Sequence, residues 1–139
     1  MTQKFIIGDV VMYGNNIMII KEPREEGHFD LLWNNWIIYS YINIEEIKPV
    51  PLTPDILEKN GWKKKAMSRG IKNSHLVYTK PDIEEYGYFP IYIEKGIGKE
   101  FDVYPFAYNN VCTQIAYIKY VHELQHLLLG LGLNSEMEV

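Results

Sequence analysis

The run His122-Glu123-Leu124-Gln125-His126 is the one segment whose residue types and spacing specify a reaction. On a helix, residues four apart stand on one face, so two imidazoles can hold a single Zn²⁺ while the Glu between them activates a bound water. The pair alone is incomplete, because a catalytic zinc needs a third protein ligand and an open coordination position. The extended form of the motif requires Gly at position 129 and His at position 132, where the chain has Leu129 and Gly132. A Glu from a second, downstream helix is the other common solution, but only thirteen residues follow His126, with Glu136 and Glu138 the only acids among them. His28 and His75 lie far off in sequence, in an expected loop and at an expected strand start. Lys119, one turn before His122, places a positive charge beside the site. No metal ligand or catalytic residue is therefore favoured. A minimal zinc hydrolase, with His122 and His126 as ligands and Glu123 as general base, stands as the alternative.

The element expected to carry these residues is a long helix over Ile115–Leu131. At about 100° per residue, Tyr117, Tyr120, Val121, Leu124, Leu127, Leu128 and Leu131 fill one apolar arc. His122 and His126 then face away from the core, in the company of Lys119, Glu123 and Gln125.

With 139 residues, the chain can bury a core of its own. Eleven Tyr, five Phe and three Trp make that core, and any binding surface, rich in rings. A net charge of -4 disfavours nucleic acid as a partner, since phosphate backbones are met by basic surfaces. The basic segment Lys63–Asn73 reads as a solvated hairpin loop, because no aromatic residue interleaves its charges. A nucleic-acid accessory role for it is the second alternative. The single Cys112 forms no internal disulfide, the first residues lack the apolar run of a signal peptide, and no stretch is long enough to span a membrane. A cytoplasmic location is the expectation.

Residues 1–52 contain five short β-type runs, Val10 to Tyr13, Ile17 to Lys21, Phe29 to Trp33, Trp36 to Tyr41 and Ile47 to Val50, separated by turn residues such as Gly14-Asn15-Asn16 and Asn34-Asn35. That density suggests a small SH3-like β-barrel. Residues 53–62 form a linking helix: Thr53 suits the N-cap, Pro54 the first turn, Gly61 the left-handed C-terminal position, and Trp62 folds back on Ile56 or Leu57. Residues 63–139 are expected to hold an antiparallel sheet, with strands at His75 to Thr79, Tyr88 to Glu94 and Phe101 to Tyr108, covered by the last helix. In this sheet Ile91-Tyr92-Ile93-Glu94 alternates as a strand buried on one face. Tyr86, Tyr88, Phe89, Tyr92, Phe101, Tyr104, Phe106 and Tyr108 furnish its packing surface. The fold class is α+β.

Two segments also carry a resemblance. Ile47-Lys48-Pro49-Val50-Pro51-Leu52-Thr53-Pro54 with Gly61-Trp62, and Tyr120-Val121-His122-Glu123-Leu124-Gln125-His126-Leu127, resemble a family of small uncharacterised proteins of Bacteroidetes and their phages or mobile elements. That family shows an I-x-P-I-P-L-T linker and a closing Y-V-H-Q-L-Q-N-L helix. Glu123 and His126 depart from it, standing where it has Gln and Asn. The resemblance implies that the zinc-like spelling is superimposed on a structural or partner-facing helix, with His122 the more informative histidine.

Trp33, Trp36, Tyr39 and Tyr41 cluster in the second half of the expected barrel, with Tyr13 on its first strand. Such rings can line a groove for an extended peptide. These four, with His122, are the candidate binding residues of a non-enzymatic interaction module that takes a protein partner and needs no cofactor.

Overall fold

The hydrophobic alternation and turn residues produce two antiparallel five-stranded sheets in the computed structural model, which describes residues 4–69, 73–80, 91–96, 98, 100–105 and 116–139. The first sheet contains β1 (Val10–Tyr13), β2 (Asn16–Pro23), β3 (His28–Trp33), β4 (Ile37–Asn43) and β5 (Ile47–Pro49), in the order β4-β3-β2-β1-β5. Gly14, at φ +60°, opens the two-residue turn between β1 and β2. Asn34 and Asn35 take positive φ in the β3–β4 connection, a conformation Asn tolerates better than most residues. Val11, Met18, Ile20, Phe29, Leu31 and Ile47 fill the core of this sheet together with Phe5, and Tyr13, Trp33, Tyr39, Ile42 and Ile44 pack at its margin.

Two β-bulges flank Asp30. The register runs Ile20↔Leu31 then Glu22↔Asp30, leaving Lys21 as the extra residue on β2. It runs Leu31↔Tyr39 then Phe29↔Ile42, so Ser40 and Tyr41 face Asp30 alone. Bulges sharpen the local bend and twist. Tyr41 is consequently held at φ +60°, and its N–H donates to Asp30 Oδ1 at 2.9 Å.

The linking helix α1 (Pro54–Lys59) forms where its punctuation places it. Thr53 Oγ1 accepts from the Ile56 N–H at 3.2 Å. Beyond the helix, Gly61 sits at φ +88°, its N–H donates to the Glu58 carbonyl, and the Trp62 N–H donates to the Leu57 carbonyl. This double closure is a Schellman motif, and it carries Trp62 into a fully buried position.

The second sheet contains β6 (Lys63–Arg69), β7 (Asn73–Thr79), β8 (Ile91–Lys95), β9 (Phe101–Pro105) and β10 (Ala116–Ile118), in the order β10-β9-β8-β7-β6. The basic segment expected to be a loop is thus largely strand, its backbone paired from Lys63↔Thr79 to Arg69↔Asn73. Strand pairing is a backbone property, and consecutive lysines do not prevent it when the partner strand supplies the apolar residues. Ile91, Tyr92 and Ile93 are all buried, so β8 is covered on both faces rather than one. Tyr86, Tyr88, Phe89, Phe106, Tyr108 and Cys112 lie outside the described residues.

The last helix, α2, spans Val121–Gly130 and not Ile115–Leu131. Ala116, Tyr117 and Ile118 pair with β9 instead, and Tyr117 is exposed. Contacts divide the chain into two compact units, Met1–Pro51 with Tyr120–Val139, and Leu52–Lys119. The helix therefore belongs with the first sheet, where the Val121 N–H donates to the Val50 carbonyl at 2.9 Å and Pro51 bridges Tyr120.

Candidate functional site

On α2 the buried residues are Val121, His122, Leu124, Gln125 and Leu128. The buried arc is turned by roughly a quarter of a revolution from the apolar arc expected from the sequence. The expectation that His122 faces solvent is thereby corrected: it is 3 % exposed. Its ring lies 5.1 Å from Phe5 and stacks at 5.9 Å on Tyr120. Gln125 is buried too, and all of its hydrogen-bonding capacity toward the protein is directed at main chain. Its Oε1 accepts from the Val10 N–H at 2.8 Å, and its Nε2 donates to the Gly8 and Ser135 carbonyls at 3.0 Å each.

His126 stands half-buried with Nε2 2.8 Å from Asp9 Oδ2. A carboxylate can only accept, so Nε2 carries the proton and is not a free metal ligand in this arrangement. Asp9 is buried and also accepts from the Ile6 N–H at 2.8 Å. Glu123 accepts from the Tyr120 N–H at 3.0 Å, the backbone half of a capping box, which ties up one of its oxygens at the helix N-terminus. The motif's four-residue spacing thus fastens the N-terminal segment to the helix. Among the described residues, no three His, Cys, Asp or Glu side chains form a group able to hold a metal ion.

His122 Nδ1 is buried without a hydrogen-bond partner. Burial pushes the His122 pKa below its ordinary value of 6.5, and the nearby His126 acts in the same direction, while Asp9 and Glu123 oppose it. The folded protein therefore refuses a proton that the unfolded chain accepts. The contribution of His122 to stability is complete above about pH 6.5 and falls as the pH drops below it, until the folded ring also protonates. In His122→Phe or His122→Leu, denaturant titrations across this window should show a shallower loss of stability on acidification. A slope equal to that of the unaltered chain would show that His122 does not titrate as described.

The aromatic candidates of the first sheet separate into two groups. Tyr39 lies 6.0 Å from Tyr13 and 6.4 Å from Trp33, and the three pack against the core. Trp36 is 86 % exposed at the β3–β4 turn, followed by the exposed Ile37 and Ile38 at the start of β4. Tyr41 is also exposed and stacks on His28, 4.0 Å between ring centroids and 10° between planes. Beside it opens a groove of about 600 Å³ lined by Pro23, Arg24, Glu25, Asp30, Ser40 and Tyr41. Arg24 is anchored there through Nε and Nη2 to Asp30 Oδ2, at 2.9 and 2.6 Å. That hydrogen bonding, with the Tyr41 N–H, holds the Asp30 carboxyl below the usual carboxylate range.

Of the expected site residues, the structure brings Trp36 and Tyr41 to one exposed hairpin, assigns Trp33 and Tyr39 to packing, and buries His122 elsewhere in the same unit. Sequence reasoning missed Asp9, Asp30 and Gln125, whose roles depend on main-chain groups distant in sequence. It also did not single out Ile37 and Ile38, which lie within the expected strand Trp36 to Tyr41. An uncharged run from Leu31 to Ile44 was the available signal for the latter pair.

No family model matches the chain, nor does any curated protein or solved structure. Among the described residues, no helix is long and apolar enough to cross a membrane.

Proposed function

We propose that the chain is a non-enzymatic interaction module, cytoplasmic and of phage or mobile-element origin, whose first sheet is an SH3-like barrel presenting the β3–β4 hairpin to a protein partner. One observation carries this reading. Four of the eight large hydrophobic residues exposed among the described residues, Trp36, Ile37, Ile38 and Tyr41, fall within six consecutive positions. Isolated exposed apolar residues are ordinary on any surface, whereas a contiguous group marks an interaction site. Trp and Tyr are also the residues on which binding energy concentrates. The polar face of α2 does not compete for this role, since His122 and Gln125 are buried there.

Affinity capture from the native host with the unaltered chain should recover a partner that Trp36→Ala loses. Because Trp36 is so exposed, the substitution should change stability by no more than about 0.5 kcal/mol. Loss of the partner is then attributable to the surface. Equal recovery by both chains would reject the hairpin as the interface.

A further inference from the structure

We infer that the outer edge of β4 pairs with the same edge of a second copy of the chain, as an antiparallel strand pair with its two-fold axis at Ile38. The inference rests on the β3–β4 hairpin being the interaction surface and supplies its occupant.

Strand β4 ends the sheet order β4-β3-β2-β1-β5, and among the described residues β3 is its one strand neighbour. An edge strand offers a row of N–H and C=O groups to any extended segment, and proteins ordinarily guard such edges with Lys, Pro or inward-facing charge. This edge has none of these three, and the β-bulge at Ser40–Tyr41, a further such device, confines the unguarded stretch to the residues before Tyr41. From Leu31 to Ile44 the chain contains no Asp, Glu, Lys, Arg, His or Pro, although 23 % of all its residues are charged. A charged partner strand would lose hydration here and find no opposite charge. Two copies of net charge -4 repel in general, and a neutral segment is where they can meet. In a two-fold pair both strands are the same segment, residue i facing j and j facing i, so every facing pair of an uncharged strand is itself uncharged.

The backbone fixes the register. Asn35 and Tyr41 have φ of +64° and +60°, so they bracket the five residues Trp36–Ser40 between two left-handed positions. A two-fold axis perpendicular to the sheet pairs residues that point to the same face, so the axis must pass through a residue pair. Centring it on Tyr39 would set left-handed Tyr41 opposite Ile37, and centring it on Ile37 would set left-handed Asn35 opposite Tyr39. Only Ile38 keeps all five residues opposite one another, with Ile37 facing Tyr39 and Trp36 facing Ser40. The exposed Trp36, Ile37 and Ile38 are covered together. Five paired residues bury less than the 1,200–2,000 Å² usual in stable complexes, so the dissociation constant should lie on the order of 10–1000 μM.

Sedimentation of the full chain across that concentration range should show a monomer–dimer equilibrium. Ile38→Lys, which sets two ammonium groups face to face, should abolish it. In a chain with Cys112→Ser, Ile38→Cys should oxidise to a covalent dimer at least about tenfold faster than Ile37→Cys, because directly opposed residues in an antiparallel pair lie within disulfide reach. Both Cys variants are smaller, uncharged replacements at exposed positions, so they test the register even if Ile38→Lys folds poorly. A chain that stays monomeric throughout, forms open-ended aggregates, or cross-links equally at both positions overturns the pairing. A monomer that still loses its host partner on Trp36→Ala would overturn the pairing while leaving the hairpin as the interface. If that loss is absent as well, both readings fall.

Discussion

Replacing Gln125 with Leu should lower the free energy of unfolding by about 3 kcal/mol, a large share of the stability of a small domain. The change preserves apolar volume on α2 but leaves the Val10 N–H buried without its acceptor and deprives the Gly8 and Ser135 carbonyls of a donor. A buried group left unpaired costs its desolvation, about 1–3 kcal/mol, and the Val10 N–H is the most enclosed of the three. Gln125→Glu separates hydrogen bonding from packing. It keeps the shape and one acceptor, yet turns an oxygen toward two carbonyl oxygens, and should destabilise at least as strongly at neutral pH. Urea titrations with an unchanged denaturant slope would measure both effects. Values within about 0.5 kcal/mol of the unaltered chain for both variants would show that the three bonds do not hold the helix to the sheet.

Asp9→Ala should cost about 2–3 kcal/mol, the next largest effect. The carboxylate is buried and joins Ile6, on its own segment, to His126 on α2. Its removal releases both at once. His126→Ala should cost less, since that side chain is about a third exposed. The double variant isolates the pair: a coupling of about 1 kcal/mol is expected, and strict additivity would mean that the Asp9–His126 contact contributes nothing of its own. Asp9→Asn retains an acceptor for the Ile6 N–H and should recover part of the loss. These two predictions concern one structural device, in which residues spelling a metal site instead pin the segment before β1 to the closing helix.

How much of this was legible follows the range of the forces involved. The α1 helix was legible residue by residue, because Thr53, Pro54, Gly61 and Trp62 act on backbone groups within five positions. The strands of the first sheet were equally legible from alternation and turn residues, although the two bulges at Asp30 were not. The start of α2 was misread because Ala116–Ile118 fit an apolar helical arc and a strand alike, and only the presence of β9 decides between them. Lys63–Arg69 was misread for the converse reason, its charges suggesting solvent while its backbone found β7. Among the aromatic candidates, the sequence located the cluster but could not sort it. Trp33 and Tyr39 went to packing and Trp36 to solvent according to a turn of two left-handed asparagines.

By itself, then, the amino-acid order determined what depends on neighbours along the chain: the α+β character, the short strands, the capped linking helix and an uncharged aromatic hairpin. Tertiary structure alone decided what the HELQH segment does. An amphipathic wheel weighs side chains by their affinity for water, and on that scale His122 and Gln125 belong outside. Partners more than a hundred positions away reverse the assignment for Gln125, whose amide is satisfied by Val10 and Gly8, while Asp9 holds His126 only half-buried. Gln125 is buried because the fold brings it hydrogen-bonding partners, His122 because it packs against the rings of Phe5 and Tyr120 with its Nδ1 unpaired, and no local pattern records where such neighbours will be.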